Sequence, residues 1–427
     1  ITMNNYRPRV ADEMLALKLE AMGAVLIEGA KYCGKTTMAA QQAASILYMA
    51  DPETKVQNMA MAKTNIKRLL IGDVPRLIDE WQLAPQFFDA IRGEIDKRNN
   101  EGQFILTGSA VPPDDSDIFH SGAGRIGWLR LRTMSLWESG DSSGDVSLGN
   151  LFTISDEVDG VSTISLDRLA YLTCRGGWPK GVIKKNEQSA LIQVKEYFEA
   201  VTRSDISRVD NIHRDAELAK RIMRSYARLQ GTQASAGTIL ADIKTNEDNS
   251  ISENTIYSYL KVLKKIFVIE DSLAWNPNLR SKTAIRTSDT RYFADPSIAT
   301  TALGMGPNDL INDLNTFGLF FETLCIRDLR VYADALDGTI YHYRDKNGLE
   351  CDAVIHLRNG KYGLIEIKLG GDDIINEGAS SLLKLSKAID TEKMNKPSFM
   401  MVLTGIGDYA YKRDDGVLVV PIGALKH

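Results

Sequence analysis

Residues 28–37 read EGAKYCGKTT and follow the apolar run GAVLI at 23–27. The order Gly29, four residues, then Gly34-Lys35-Thr36 is the pattern G-x-x-x-x-G-K-[ST], which carries meaning only between a strand and a helix. Ala24 to Ile27 is apolar and of strand length, while TMAAQQAA at 37–44 is rich in strong helix formers. The spacing therefore predicts a strand, a phosphate-cradling loop and a helix. Gly29 and Gly34 let the backbone curl, so that Ala30, Lys31, Tyr32 and Cys33 turn their N–H groups inward. The helix N-terminus adds partial positive charge where phosphate oxygens would sit. On this reading Lys35, a solvated ammonium in the empty loop, reaches the β- and γ-phosphates. Thr36 ligates Mg²⁺, and Thr37 opens the helix beside it.

The whole chain has 427 residues, which at roughly 100–200 per domain implies two to four domains. A net charge of −5 argues against a globally basic nucleic-acid binder and leaves a local basic patch open. Cys33, Cys174, Cys325 and Cys351 form no C-x-x-C pair, so neither a zinc site nor a disulfide is expected. No apolar run reaches 18 residues and the first residues lack a signal-peptide core; the expectation is a cytoplasmic protein without a membrane partner.

Two further strands are predicted to end in polar groups. LIDE at 77–80 places Asp79 and Glu80 behind Leu77 and Ile78, and FILTGS at 104–109 places Thr107 and Ser109 behind Phe104 to Leu106. In an open parallel sheet, ligands bind at the carboxyl ends of strands, so these ends converge on the loop. Asp79 then holds Mg²⁺ through water, Glu80 polarises the attacking water, and Thr107 or Ser109 senses the γ-phosphate. Arg125, in the glycine-rich GAGRI, is either a group that stabilises charge on a departing γ-phosphoryl or a solvated surface residue. Arg130 and Arg132 alternate on a strand and read as structural.

YRPR at 6–9, GAKYCGKTT, LIDEWQ, ILTGS, GAGRI, MSLWESG at 134–140 and RGGWP at 175–179 occur in that order. Together they resemble the AAA+-type ATPases of prokaryotes whose C-terminal domain has no assigned function, and the resemblance covers nearly the whole chain. It implies ATP binding and a helical or winged-helix middle region; its arginine-finger logic transfers only to Arg125.

From 160 to 305 the pattern is helical. Arg203, Arg208, Arg214, Lys220, Arg221, Arg224 and Arg228 are interleaved with Asp205, Asp210, Asp215 and Glu217, and such mixed signs favour ion-paired helix faces over a nucleic-acid stripe. GTILADIKT, a polar turn at 246–250 and SENTIYSYLKVLKK predict helix, turn, helix, with Ser252 or Asn254 as N-cap. TRYFAD at 290–295 is expected to return as a strand around a wing. A DNA-binding winged helix would aim Thr255, Tyr257, Ser258, Lys261 and Lys265 outward, whereas near-balanced charge leans toward protein interaction.

The last 120 residues read as α/β. A helix containing Glu322 precedes three strand-like segments separated by the turns DKNG and RNGK. Asp352 lies on the second segment, and Glu366 and Lys368 share one face of the third. Charges on a buried strand are costly unless compensated, and a divalent cation would compensate them. Glu322, Asp352, Glu366 and Lys368 together resemble the PD-(D/E)xK nuclease core. That resemblance implies Mg²⁺ or Mn²⁺ on Asp352 and Glu366, with Lys368 stabilising the phosphate. An inactivated nuclease-like fold, or an internal Glu366–Lys368 pair, fits the same residues.

The expectation is thus an α/β protein in three parts. Residues 1–155 are an AAA+-type P-loop ATPase domain, 156–305 a helical and winged-helix domain, and 306–427 a PD-(D/E)xK nuclease-like domain. Nucleotide is the expected ligand, DNA and further copies of the chain the candidate partners. The leading function is an ATPase whose nucleotide state controls a metal-dependent nuclease. The alternatives are an ATP-gated scaffold or a signalling switch with a silent nuclease-like fold.

Overall fold

The structure is a computed structural model that describes residues 6–108, 123–153, 158–210, 212–244 and 251–427. Ser109, the polar turn at 246–250 and the domain boundary expected at 155 lie outside the described residues. The chain divides into two compact units, one of residues 1–133, 203–215 and 261–267, the other of 134–202, 216–260 and 268–427.

In the first unit five strands, β1 (Ala24–Glu28), β2 (Ser45–Tyr48), β3 (Arg76–Asp79), β4 (Phe104–Gly108) and β5 (Ile126–Arg130), form a sheet in the order β2-β3-β4-β1-β5. Every neighbouring pair is parallel. Such strands are covered on both faces and therefore read as continuous apolar runs. Ala24, Val25, Leu26 and Ile27 are buried, as are Phe104, Ile105 and Leu106. Helix Phe87–Arg98 sets Phe87, Phe88, Ile91 and Ile95 at helical spacing and buries them against Leu26, Ile78, Phe104 and Leu106. Each such side chain contributes about 1.5–3 kcal/mol by leaving water. Because β1 lies between β4 and β5, the chain order switches at β1, where open α/β sheets bind ligands.

The second unit holds β6 (Val146–Ser147), β7 (Gly160–Val161), β8 (Leu273–Ala274), β9 (Gly338–Arg344), β10 (Glu350–Leu357), β11 (Tyr362–Lys368), β12 (Phe399–Thr404), β13 (Tyr409–Lys412), β14 (Leu418–Pro421) and β15 (Leu425–Lys426). Eight of them form one mixed sheet, β7-β13-β14-β12-β11-β10-β9-β8, and β6 pairs β15. β9, β10 and β11 are antiparallel neighbours joined by the expected tight turns. In the first turn Asp345 accepts from the N–H groups of Asn347 and Leu349; in the second Asn359 accepts from Lys361. Helix Asp372–Ala388 lays Ile375, Ala379, Leu382 and Leu385 against Val354, Tyr362, Leu364 and Val402.

In the middle region, helices Ala236–Ile243 and Glu253–Lys265 form, and the Ser252 hydroxyl accepts from the Thr255 N–H at 3.2 Å. The returning strand of a wing is reduced to two isolated bridges, Ile269 to Phe293 and Ser272 to Thr290. The intervening stretch is rich in Asn, Arg, Lys and Ser, which make poor strands, and Leu273–Ala274 pairs with the longer β9 instead. The mixed charges of this region pair locally, as in Arg214–Asp210 at 2.7 Å and Lys220–Glu199 at 3.1 Å.

Candidate functional site

β1 ends at Glu28 and the glycine-rich loop begins at once. Gly29 has φ +154°, and a Cβ there would meet the Leu131 carbonyl oxygen at 2.1 Å. Gly34, at φ +105°, turns the chain into helix Lys35–Gln42 in a left-handed conformation that side chains resist. Arg9 braces the loop from beneath: buried, it donates to the Cys33 carbonyl at 3.0 Å and to the Arg132 carbonyl at 2.8 Å. Cys33 is fully buried, its thiol 3.4 Å from the Leu131 carbonyl. Tyr32 stands out from the loop, 58% exposed at φ +64°.

Lys35 departs from its expected solvated state. It is only 7% exposed, and its Nζ donates to the carbonyls of Gly29 and Ala30 at 2.8 Å each. A buried ammonium needs such acceptors, and the curl of the loop that turns N–H groups toward a phosphate leaves these two carbonyls within reach of it. Lys31 turns the other way and pairs with Asp205 at 2.7 Å.

Below the loop, Asp79 Oδ1 accepts from the Thr36 hydroxyl at 2.6 Å and from the Thr107 hydroxyl at 2.7 Å. The parallel register that sets Asp79 opposite Thr107 produces this meeting. A threonine hydroxyl beside an aspartate is a hard-oxygen donor set of the kind Mg²⁺ takes, so these residues fit the ion. Glu80 follows at φ +57°, and its carboxylate accepts from the Gln82 side-chain amide. Thr37 is the third residue of the helix, its carbonyl accepting from the Gln41 side-chain amide.

Arg125 is not brought to this site. Its carbonyl accepts from the Ala24 N–H, placing it at the amino end of β1 and β5, about 15 Å of strand from the loop. It is exposed and pairs with Asp96 at 2.9 Å. The arginine at the loop end of β5 is Arg130, which pairs with Glu28 at 3.1 Å and lies 4.2 Å over the Phe267 ring. Sequence reading treated Arg130 as structural; only the pairing of β5 with β1 reveals its position.

In the second unit, Glu322, Asp352, Glu366 and Lys368 interact electrostatically. Between Cys351 and Val354 the register of β10 on β9 slips by one residue, a bulge that takes in Asp352. Asp352 Oδ2 accepts from the Ile367 N–H at 2.7 Å. Lys368 Nζ lies 2.7 Å from Glu366 and 3.7 Å from Asp352. Glu366 is 4% exposed, and its Oε1 has no hydrogen-bond partner. Glu322 accepts from the buried Tyr292 hydroxyl, a residue the sequence did not single out.

Burial, and then the charge of Asp352, push the Glu322 carboxyl up to about 8 and hold Glu366 well above the usual carboxylate range. Burial opposes the charge on Lys368, but Asp352 and Glu366 outweigh it and hold the ammonium protonated. Among the described residues, no group of three or more His, Cys, Asp or Glu side chains is placed to hold a metal ion. The two carboxylates expected to meet over a divalent cation meet over Lys368 instead. None of the described helices is long and apolar enough to cross a membrane.

Comparison with known proteins separates the chain into three stretches. Residues 22–139 match an AAA domain. This stretch contains the glycine-rich loop and the parallel sheet, a P-loop domain of the AAA type. Residues 166–309 and 317–425 match two domains of unknown function, DUF8612 and DUF4143. Uncharacterized proteins of Mycobacterium bovis and Mycobacterium tuberculosis are each 20% identical over 97% of this chain and 83% of their own length. Among solved structures, a Walker-type ATPase of Pyrococcus abyssi is 14% identical, with a TM-score of 0.43 over 70% of this chain and 99% of its own.

Proposed function

We propose that the protein binds and hydrolyses ATP at the glycine-rich loop, and that its nucleotide state controls a nuclease-like C-terminal domain that acts on DNA in the cytoplasm. The observation that carries the first half is Asp79, at the carboxyl end of β3, held at once by the hydroxyls of Thr36, on the helix after the loop, and Thr107, on the neighbouring β4. In this reading Lys35 exchanges the Gly29 and Ala30 carbonyls for the β- and γ-phosphates. Thr36 and Asp79 hold Mg²⁺, which neutralises phosphate charge when bound, and Glu80 takes a proton from the attacking water. Thr107 or Ser109 senses the γ-phosphate. Arg125, remote from its own loop, acts on the nucleotide of a neighbouring copy, so the active form is a homo-oligomer.

The control half is supported by two stretches of the middle region that belong to the first unit. Asp205 pairs with Lys31 inside the loop, and Phe267 lies under Arg130, which is paired to the residue preceding Gly29.

A second reading keeps the ATPase and makes the C-terminal fold a silent docking or switch module. It is favoured by the ammonium of Lys368 in the position where cleavage would need a metal. One experiment separates the two. ATP turnover and cleavage of labelled single- and double-stranded DNA are followed with Mg²⁺ and with Mn²⁺, for wild type and Asp352→Asn. Metal-dependent cleavage lost in the variant selects the nuclease; DNA left intact while ATP is consumed selects the silent module.

A further inference from the structure

The stretch LIDEWQ ends in a residue to which the ATPase reading gives no task. The Gln82 amide donates to Glu80 Oε2. A carboxylate only accepts, so the NH₂ end of the amide faces Glu80 and the carbonyl Oε1 faces away. That Oε1 is buried and has no hydrogen-bond partner. It points at the carboxyl end of β4, where a Cβ on Gly108 would stand 2.7 Å from it. Gly108 follows Thr107, whose hydroxyl is on Asp79, so the free acceptor lies at the carboxyl end of the strand beside that of Asp79, one of the proposed Mg²⁺ ligands. The turn is also constrained: Glu80 sits at φ +57°, ψ +44°, a left-handed conformation that costs free energy in a residue with a side chain and clusters at active sites.

We propose that Gln82 positions the attacking water for ATP hydrolysis, together with Glu80; the inference rests on the ATPase reading above. Gln82 Oε1 accepts one hydrogen of the water while Glu80 accepts the other and removes it. The water oxygen forms its bond to the γ-phosphorus as the bond from that phosphorus to the β,γ-bridging oxygen breaks. The bonding pair leaves with ADP, and the proton taken by Glu80 returns to solvent. The same amide fixes the glutamate through its N–H, so one side chain orients both the base and the water. Orientation of this kind acts in the transition state more than on bound ATP.

Steady-state ATP hydrolysis and thermal melting of wild type, Gln82→Ala and Gln82→Met test it. Methionine keeps the volume over Gly108 and removes both hydrogen-bonding ends. Both variants are expected to lose about tenfold or more in kcat with KM for ATP within about twofold of wild type, since general-base positioning is worth one or more decades. Gln82→Met is expected to melt like wild type. A Gln82→Met protein with wild-type kcat overturns the inference and leaves the ATPase reading intact, because a packing role alone would be rescued by the methionine. A wild-type protein that releases no phosphate from Mg-ATP overturns both.

Discussion

The loop site of the first unit and the carboxylate cluster of the second are built from the same materials, a lysine and acidic side chains at strand ends, and differ in how those charges are paired. In the first, Lys35 is bonded to neutral carbonyls and Asp79 to neutral hydroxyls, so neither charge is cancelled by the other. In the second, Lys368 is bonded to Glu366 and approaches Asp352, so an internal ion pair takes up the charges. A site whose opposite charges are held apart by neutral partners can exchange those partners for a charged ligand at small cost. A site already paired gives up a strong internal contact to do the same. A third cluster is paired internally: buried Arg327 donates to Asp295 at 3.2 Å and through Nε to Asp328 at 2.8 Å, and these carboxylates also accept from the N–H groups of Gly177 and Leu136.

The contrast can be broken most sharply at the first site. Glu80→Gln keeps the shape of the turn and the proposed Mg²⁺ ligands but removes the proposed base, so ATP should bind and persist while turnover falls by about 100-fold or more. Normal hydrolysis by this variant, read by phosphate release, would reassign the base. At the second site, Lys368→Ala leaves Glu366 and Asp352 facing each other without the ammonium. Because Lys368 is partly exposed, the cost to folding should be about 1–3 kcal/mol, below that of breaking a fully buried pair. Mn²⁺ should restore much of the lost melting temperature by taking the place of the ammonium. No recovery with metal would mark the cluster as purely structural.

A smaller effect is expected from pH. Glu322 titrates near 8 in the fold against an ordinary value near 4.5, so the folded state holds a proton that the unfolded chain has released. Its contribution to stability is complete below about pH 4.5 and is lost as pH rises toward 8. Melting temperature should therefore fall across that window, and Glu322→Gln should flatten the fall. An unchanged slope in the variant would remove Glu322 as its source. The smallest effect should come from Asp205→Asn, which frees Lys31 and removes a negative charge beside the loop. ATP affinity, measured by titration, should tighten a few-fold, since a partly exposed pair is worth about 0–1 kcal/mol. Weaker binding would mean that Asp205 supports the loop rather than competing with phosphate.

What could be read in advance follows from the range of the interactions. The strand, loop and helix around Gly34 were legible because the motif and its context occupy consecutive residues, and Asp79 and Thr107 because polar residues end apolar strands. The turns of the C-terminal hairpins were legible for the same reason. Strand order and register were not. They put Arg125 at the far end of the sheet, bring Arg130 to the loop and slip Asp352 into a bulge. The burial of Lys35 was hidden because it depends on where the Gly29 and Ala30 carbonyls point. MSLWESG and RGGWP carried the family resemblance, yet Leu136 and Gly177 serve the Arg327 cluster, a role that only the tertiary fold discloses.

The central claim is that the charges of the first site are kept available for nucleotide phosphates. Calorimetric titration of ATP with Mg²⁺ into wild type and Lys35→Ala tests it most directly. Wild type should bind, and Lys35→Ala should lose affinity by about tenfold or more, as expected when a charge-assisted contact to phosphate is removed. Equal binding by the two proteins, or no binding by wild type, would contradict the account.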